Sequence, residues 1–413
     1  IKTDMNNNKR RVLFVNNVVY LPGEGGYKRT LYLFDMMRNM GYPVTLITSN
    51  FNHYKKQVRD LDKFKKEYPD CGDIRFIKVP PYTTNISLKR YYSEWVWTFK
   101  FKNWLKKHID KYDVVYMNMP DYDQINAVKG ICEKHGKKII LDVRDLRPEA
   151  FHVMIKNDRL FKIFFYWMRV SADRAYACAD ELVAVSKEYL DIALRVNKKS
   201  KNPAVVYIGA ILDKFYDGIK KYAHTIEKPN GEVWATYAGT LGESYDLDTV
   251  IAAAKKCADT DISNLRLKIL GQGPSAEHLK KYADKIGANN VDFIGFVDYE
   301  MMAAYLSKSD MTINAIKKNA SQSIINKVAD YFAAGVPMLN SCCCQEQLDM
   351  VTEYKIGLNY EPGNIEQLAS YMALLAKDKS ICKLYGDNAR KLAEEKFDRR
   401  NSYLELINRI DTV

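Results

Sequence analysis

Arg11-Val12-Leu13-Phe14-Val15-Asn16 is a short apolar run of the kind that forms a strand buried on both faces. A glycine-bearing loop follows, Pro22-Gly23-Glu24-Gly25-Gly26-Tyr27-Lys28-Arg29, and then a helical pattern from Thr30 to Met40 that stops at Gly41. Together they open a β-α-β unit. Further apolar runs come at Val44 to Ile47, Ile74 to Val79, Val114 to Met117, Lys138 to Asp142 and Glu181 to Val185, with helical stretches between most of them. Such alternation predicts a parallel sheet with helices on both faces.

The same grammar restarts after residue 205. Strands are expected at Ala235 to Ala238, Leu265 to Leu270, Val291 to Ile294, Met311 to Asn314, Pro337 to Asn340 and Gly357 to Asn359. Helices are expected at Asp248 to Cys257, Ser275 to Ile286, Glu300 to Leu306 and Ser323 to Ala334. The fold class is therefore α/β, with two Rossmann-like doubly wound domains facing across a cleft. Their expected extents are 9–205 and 206–395, with a C-terminal helix at 396–413 returning to the first domain, and the pattern breaks at Lys228-Pro229-Asn230-Gly231. Ligands of such sheets bind outside the carboxyl ends of the strands.

Composition agrees with two cores, since 413 residues exceed what one ordinary core holds. Hydrophobic residues at 47% and charged residues at 28% belong to a water-soluble globular chain, and the longest apolar stretch, Ile163 to Met168, is far short of a membrane span. The first ten residues are polar and basic, without the apolar core of a secretion signal, so a cytoplasmic location is expected. Eight cysteines at 71, 132, 178, 257, 342, 343, 344 and 382 have no metal-type spacing, and the six histidines show no ligand pattern. They read as reduced thiols and as packed or surface imidazoles. A net charge of +12 points to a polyanionic partner such as nucleic acid, anionic lipid or a phosphorylated substrate. The chain is also rich in Lys, Asn, Ile and Tyr throughout, so charge alone decides little.

The segment Asn326-Lys327-Val328-Ala329-Asp330-Tyr331-Phe332-Ala333-Ala334-Gly335-Val336-Pro337 is a short helix pattern stopped by Gly-x-Pro. A helix start offers backbone N–H groups to a diphosphate, and a carboxylate farther along accepts two hydrogen bonds from a vicinal diol. In the first half, Leu141-Asp142-Val143-Arg144-Asp145-Leu146-Arg147-Pro148-Glu149 packs charge at the end of a buried strand, where such a sheet places its site. Asp121-Tyr122-Asp123 has the spacing of a metal-holding acid pair, which we read as coincidence. The loop Gly25-Gly26-Tyr27-Lys28-Arg29 lets backbone approach a ligand closely, yet it lacks the order of a dinucleotide or ATP loop.

Six segments in order carry a family resemblance: Gly25-Gly26, Ala179 to Ser186, Tyr237-Ala238-Gly239-Thr240-Leu241, Ile269 to Pro274, Val291-Asp292-Phe293-Ile294-Gly295-Phe296, and the 326–337 helix. The chain resembles the family-four glycosyltransferases, retaining enzymes of GT-B architecture. The resemblance implies a nucleotide-sugar donor held mainly by the second domain, an acceptor held by the first, and no cofactor and no required metal. It places Gly25, Gly26, Gly239, Thr240, Gly273, Phe296, Ser321, Gln322, Ser323, Lys327 and Asp330 around the donor, with Asp330 on the ribose and Gln322 on the transferred sugar. Family members carry an acid where this chain has Gln322, and cations where it has Thr240 and Tyr245. Lys327 is then the first candidate for the missing positive charge, with helix amides around Ser321 to Ser323 contributing the rest. The Asn-Lys before the acid resembles a subgroup of bacterial polysaccharide transferases.

Around 141–149 the resemblance gives Arg144 the charge on the leaving diphosphate and Asp145 or Glu149 the acceptor hydroxyl. Lys28 and Arg29 are expected at the donor diphosphate or an acceptor phosphate. Plainer readings stand beside these: a Lys327–Asp330 surface pair, an Arg144–Glu149 salt bridge, and solvated Lys28 and Arg29. Leu88 to Ile109, wound as a helix, has two apolar faces, one with Leu88, Tyr92, Trp95 and Phe99 and one with Trp97, Phe101 and Trp104. One face serves the core; we assign Trp97, Phe101 and Trp104 to the headgroups of an anionic membrane, against contact with another protein element.

The function these readings imply is retaining transfer of a sugar from a nucleotide diphosphate, UDP favoured, onto a glycan or polyprenyl-linked sugar in bacterial surface polysaccharide assembly. The site would be cytoplasmic, peripheral to the inner face of the plasma membrane, and without a nucleic-acid partner. A sugar-nucleotide epimerase of the same fold and a catalytically degenerate membrane-associated partner subunit are the alternatives.

Overall fold

A computed structural model of the chain describes residues 9–24, 29–85, 87–148, 157–318, 320, 324 and 326–413. Two compact units emerge, Ile1–Val206 with Tyr403–Val413, and Tyr207–Ser402.

The first unit contains β1 (Val12–Val15), β2 (Val44–Ser49), a small ribbon of β3 (Phe51–Asn52) and β4 (Gln57–Val58), then β5 (Ile74–Ile77), β6 (Val114–Met119), β7 (Lys138–Val143), β8 (Glu181–Ala184) and β9 (Ala204–Val205). All but the ribbon form one parallel sheet in the order β5-β2-β1-β6-β7-β8-β9. β1 lies inside it, Val12 opposite Val44 on one side and Val114 on the other. Its successive residues point to opposite faces, as a pleated strand requires. Leu13 and Val15 join a core with Trp97, Phe101 and Ile125, while Val12 and Phe14 join a second with Leu33, Phe34, Tyr403 and Leu406. A strand buried on both sides has no polar alternation to show, which is why Val12 to Val15 reads as a continuous apolar run.

The second unit repeats the plan with β10 (Val233–Ala238), β11 (Leu265–Leu270), β12 (Val291–Gly295), β13 (Met311–Asn314), β14 (Met338–Asn340) and β15 (Gly357–Asn359). Their order is β12-β11-β10-β13-β14-β15, all parallel. The expected two Rossmann-like sheets are thus present. In each, connections run one way from the first strand and then the other, so the order reverses at β1/β6 and at β10/β13, and ligands of such sheets settle beside that reversal. The helix Lys327–Ala334 follows β13 and ends with Gly335 in a left-handed conformation, φ 68°, whose N–H bonds the Phe332 carbonyl. Only glycine adopts that conformation without strain, and Pro337 then prevents continuation.

One assignment is reversed. In the helix Leu88–His108, Trp97 and Phe101 are buried at 1% and 0% exposure, and Trp97 Nε1 donates to Gln124 Oε1 at 2.8 Å. Trp104 is partly buried and stacks on His108 at 4.4 Å. The face turned to solvent is the other one: Leu88, Tyr92, Trp95 and Phe99 are 87%, 57%, 62% and 56% exposed. Both faces are apolar enough to be buried, and the choice is made by the helix Tyr122–Lys134, against which Trp97 packs. Among the described residues no helix is long and apolar enough to cross a membrane.

Candidate functional site

At the carboxyl end of the second unit's sheet, three loops are zipped together by main-chain hydrogen bonds. Gly239 N donates to the Leu270 carbonyl at 2.9 Å, Leu241 N to Gln272 at 2.9 Å, Ser275 N to Leu241 at 2.9 Å and Gly271 N to Gly295 at 2.7 Å. Gly239 and Gly271 hold φ values of 155° and 138°. A Cβ on Gly271 would run into the Gly239 carbonyl, and one on Gly273 into the Leu241 carbonyl. Backbone contact this close is open only to glycine. The loops therefore present main chain rather than side chain beside the β10/β13 reversal.

Lys327 enters this place from the start of its helix. Its Nζ is buried, has no hydrogen-bond partner, and lies 4.0 Å from the ring centre of Tyr237 and 4.1 Å from that of Tyr245. Burial drives the amine well below the usual lysine range, with nearby Cys342 opposing. Asp330, one turn on, accepts a hydrogen bond from the Tyr299 hydroxyl at 2.7 Å. Burial pushes its carboxyl up to about 6, against the Tyr299 hydrogen bond and the Arg399 charge. Lys327 and Asp330 thus do not pair with each other. The lone surface ion pair is excluded, and both groups are held on separate supports with hydrogen-bonding capacity left over.

In the first unit, Asp142 near the end of β7 gathers three donors. Arg29 Nε and Nη2 reach its two oxygens at 2.9 and 3.1 Å, Arg144 Nε reaches Oδ2 at 2.6 Å, and the Tyr116 hydroxyl reaches Oδ2 at 2.7 Å. Burial works to raise the Asp142 carboxyl, but the Arg144 and Arg29 charges outweigh it and hold the group down at about 2. Arg144 Nη1 also donates to Thr30 Oγ1 at 2.7 Å, leaving Nη2 buried and unpartnered. Two guanidinium groups on one carboxylate leave this spot with an excess positive charge.

The predicted residues divide accordingly. Gly239, Thr240, Gly273, Lys327 and Asp330 fall within the second unit's loop-and-helix cluster, and Phe296 stands exposed just past β12. Arg144 is at the end of β7, with Asp142 as an ionic partner among the described residues. Asp145 lies beside it, its Oδ1 accepting from Leu146 N at 2.9 Å and its carboxyl raised by burial. Arg29 is corrected: it is 2% exposed, points inward and is spent on Asp142 and the Val206 carbonyl, so it does not offer itself to an acceptor. Gly25, Gly26, Lys28, Glu149, Ser321, Gln322 and Ser323 lie outside the described residues. The helix expected from Ser323 begins, among described residues, at Lys327. Asp121 of the acid pair has its carboxylate on Asn118 Nδ2 at 3.1 Å.

Sequence reading missed the partners: Tyr237 and Tyr245 on Lys327, Tyr299 on Asp330, Thr30 and Asp142 on the arginines, and Tyr116 on Asp142. One of them had a signal. Tyr245 occupies a position where the resemblance expects a cation, and an aromatic ring there is the natural seat for a cation arriving from elsewhere.

Residues 219–392 match the family described as glycosyl transferases group 1. An uncharacterized glycosyltransferase of Methanocaldococcus jannaschii is 21% identical over 262 residues, which are 61% of this chain and 64% of that protein. The Escherichia coli protein WcaI, a glycosyl transferase named for colanic acid biosynthesis, is 26% identical over 191 residues, 45% of this chain and 44% of its own length. The matched stretch therefore spans less than two thirds of either curated relative. Among solved structures, Anabaena HepE in complex with UDP superposes with a TM-score of 0.70 at 14% identity, covering 98% of this chain and 100% of that one. Residues 219–392 are thus similar to the glycosyl transferases group 1 family, and the chain shares the GT-B fold of the HepE structure.

Proposed function

We propose that this chain transfers a sugar, with retention at the anomeric carbon, from a nucleoside diphosphate to a hydroxyl of a glycan or polyprenyl-linked acceptor in the assembly of a surface polysaccharide. The observation that carries the reading is the buried, unpartnered Lys327 ammonium beside glycine loops, with Asp330 on the same helix, inside the stretch similar to the group 1 family. A diphosphate supplies the oxyanions that Lys327 lacks, and a ribose diol suits the unshared oxygen of Asp330. UDP is favoured because the solved HepE structure holds it. The relation to a protein named for colanic acid biosynthesis supports a polysaccharide acceptor.

In this reaction the acceptor hydroxyl attacks the anomeric carbon as the diphosphate leaves, and a leaving oxygen takes the hydroxyl proton. The protein contributes position and electrostatics. Lys327 and the loop amides meet the charge building on the diphosphate, and Arg144 through Nη2 takes an anionic oxygen of the bound substrates. Asp145 orients the acceptor hydroxyl. In this scheme protein groups supply the positive charge and no metal is required.

For a polyprenyl-linked acceptor the reaction belongs at the inner face of the plasma membrane. The exposed aromatic strip Tyr92, Trp95 and Phe99, stacked at 6.2 and 5.9 Å, and the exposed Ile163, Phe164 and Trp167 of the two helices that follow Asn157, suit a headgroup layer. Thermal-shift screening with UDP, GDP and their sugars tests the donor site, because a ligand bound only by the native state raises the melting temperature. Acceptor-dependent release of UDP from a UDP-sugar then tests transfer. Conversion of the donor's own sugar without any acceptor would replace the reading with an epimerase, and no binding of any nucleotide would overturn it.

A further inference from the structure

Among the described residues the Lys327 ammonium has no hydrogen-bond partner and rests on two aromatic faces. Two rings close on it at 4.0 and 4.1 Å, and they stand 5.9 Å apart at an interplanar angle of 68°, which places the cation against two π faces at once. Neither ring is loose. Tyr237 is fully buried on β10 and its hydroxyl donates to the Thr240 carbonyl at 2.7 Å, while Tyr245 N donates to the Gly242 carbonyl at 3.1 Å and closes the turn that carries its ring. The ammonium sits directly against the Gly239 backbone: a Cβ built there would lie 3.4 Å from Lys327 Nζ. Nothing but glycine's missing side chain therefore separates the cation from the loop that follows β10.

An amine with three donors and no acceptor, buried in this way, is costly unless something arrives to use it. Aromatic faces attract a cation without occupying its hydrogen bonds. A carboxylate in the same place would neutralise the charge and compete with any incoming anion. Two rings keep the position of the ammonium and leave its donors unspent.

We propose that Tyr237 and Tyr245 form an aromatic clamp that keeps the Lys327 ammonium unpaired under the Gly239 turn for a diphosphate oxyanion. Tyr245 thereby acts as a positioning residue, standing where a direct cation would otherwise be. This deepens, and rests on, the nucleotide-diphosphate reading of the same site.

Calorimetric titration of the full chain with UDP against uridine, and GDP against guanosine, separates the two. The ratio of diphosphate to nucleoside affinity reports what the clamp contributes. Lys327→Met is expected to lower that ratio about tenfold or more, the worth of a lost charge-assisted hydrogen bond, without changing nucleoside affinity. Tyr245→Leu lowers it too, and Tyr245→Phe, which returns the ring, restores it. The exchange Lys327→Met with Tyr245→Lys, which moves the cation to the other side of the same contact, regains most of the loss. An unchanged ratio in folded Lys327→Met, equal losses in Tyr245→Phe and Tyr245→Leu, or no gain in the exchange variant overturns the clamp while leaving the nucleotide site standing. If the unaltered protein binds neither UDP nor GDP, the donor site itself fails and the clamp falls with it.

Discussion

Arg29 and Asp142, 113 residues apart in sequence, meet in a two-pronged ion pair whose side chains are 1% and 0% exposed. The pair fastens the first helix of the first unit to the end of β7. Removing one partner leaves the other charged, buried and uncompensated, which costs about 3–5 kcal/mol. Asp142→Asn is therefore expected to lose about 3 kcal/mol in urea unfolding with no change in slope. Because the folded carboxyl lies at about 2, below its free value of 3.8, the ionised pair's contribution is present above pH 3.8 and fades as pH falls toward 2. The variant and the unaltered chain should converge across that window.

Asp330 obeys the opposite sign. Its folded value of about 6 lies above the free value of 3.8, so stability is greatest below pH 3.8 and declines as pH rises through 6. Asp330→Asn, which keeps an acceptor for the Tyr299 hydroxyl, should melt higher than the unaltered chain at pH 8. The gain should vanish by pH 4, and donor affinity should fall at the same time. A variant that melts lower at pH 8 would show the carboxylate to be structural.

Lys327→Met should also raise the melting temperature, since a thioether chain fills the space without a buried unpaired cation. The folded amine is depressed, so the penalty in the unaltered chain is full at pH below the folded value and disappears as pH rises toward 10.5. The stability gain should shrink along the same path. Melting curves at pH 7 and pH 10 distinguish this from a mere packing improvement, which would not depend on pH.

Trp95 and Trp97 sit two residues apart on one helix and should behave in contrast. Trp95→Ser with Phe99→Ser is expected to leave stability within about 0.5 kcal/mol and to reduce sedimentation with anionic vesicles at low salt. Trp97→Ala, which opens a cavity and orphans Gln124 Oε1, should cost about 3–5 kcal/mol. Equal sedimentation of the double variant and the unaltered chain would remove this face from membrane binding.

The sheets were legible because strands buried on both faces, such as Val12 to Val15 and the expected Ala235 to Ala238, read as short runs bounded by turn residues and alternating with helix patterns. Faces were not legible. Trp97 and Trp95 carry the same side chain on the same helix, and only the presence of Tyr122–Lys134 alongside decides which is inside. Arg29 looked like a ligand because it follows a glycine loop, yet Asp142, the group that claims it, lies 113 residues away in sequence. Lys327 and Asp330 were visible as a motif, but their supports, Tyr237, Tyr245 and Tyr299, come from other strands and helices of the unit, and no spacing rule links them.

Tyr403, Leu406, Ile407 and Ile410 complete the same hydrophobic cluster as Val12, Phe14 and Phe34. The first sheet of the molecule is thus closed by residues made some four hundred positions after its first strand. On the ribosome, that face of the nascent N-terminal unit stays open while the entire second unit is synthesised. Cotranslational folding must then finish out of order, with the C-terminal unit able to consolidate before the N-terminal one. A fragment ending at Val206 would expose that apolar face permanently, and it should aggregate unless the segment 403–413 is supplied as a separate peptide or joined by a short linker.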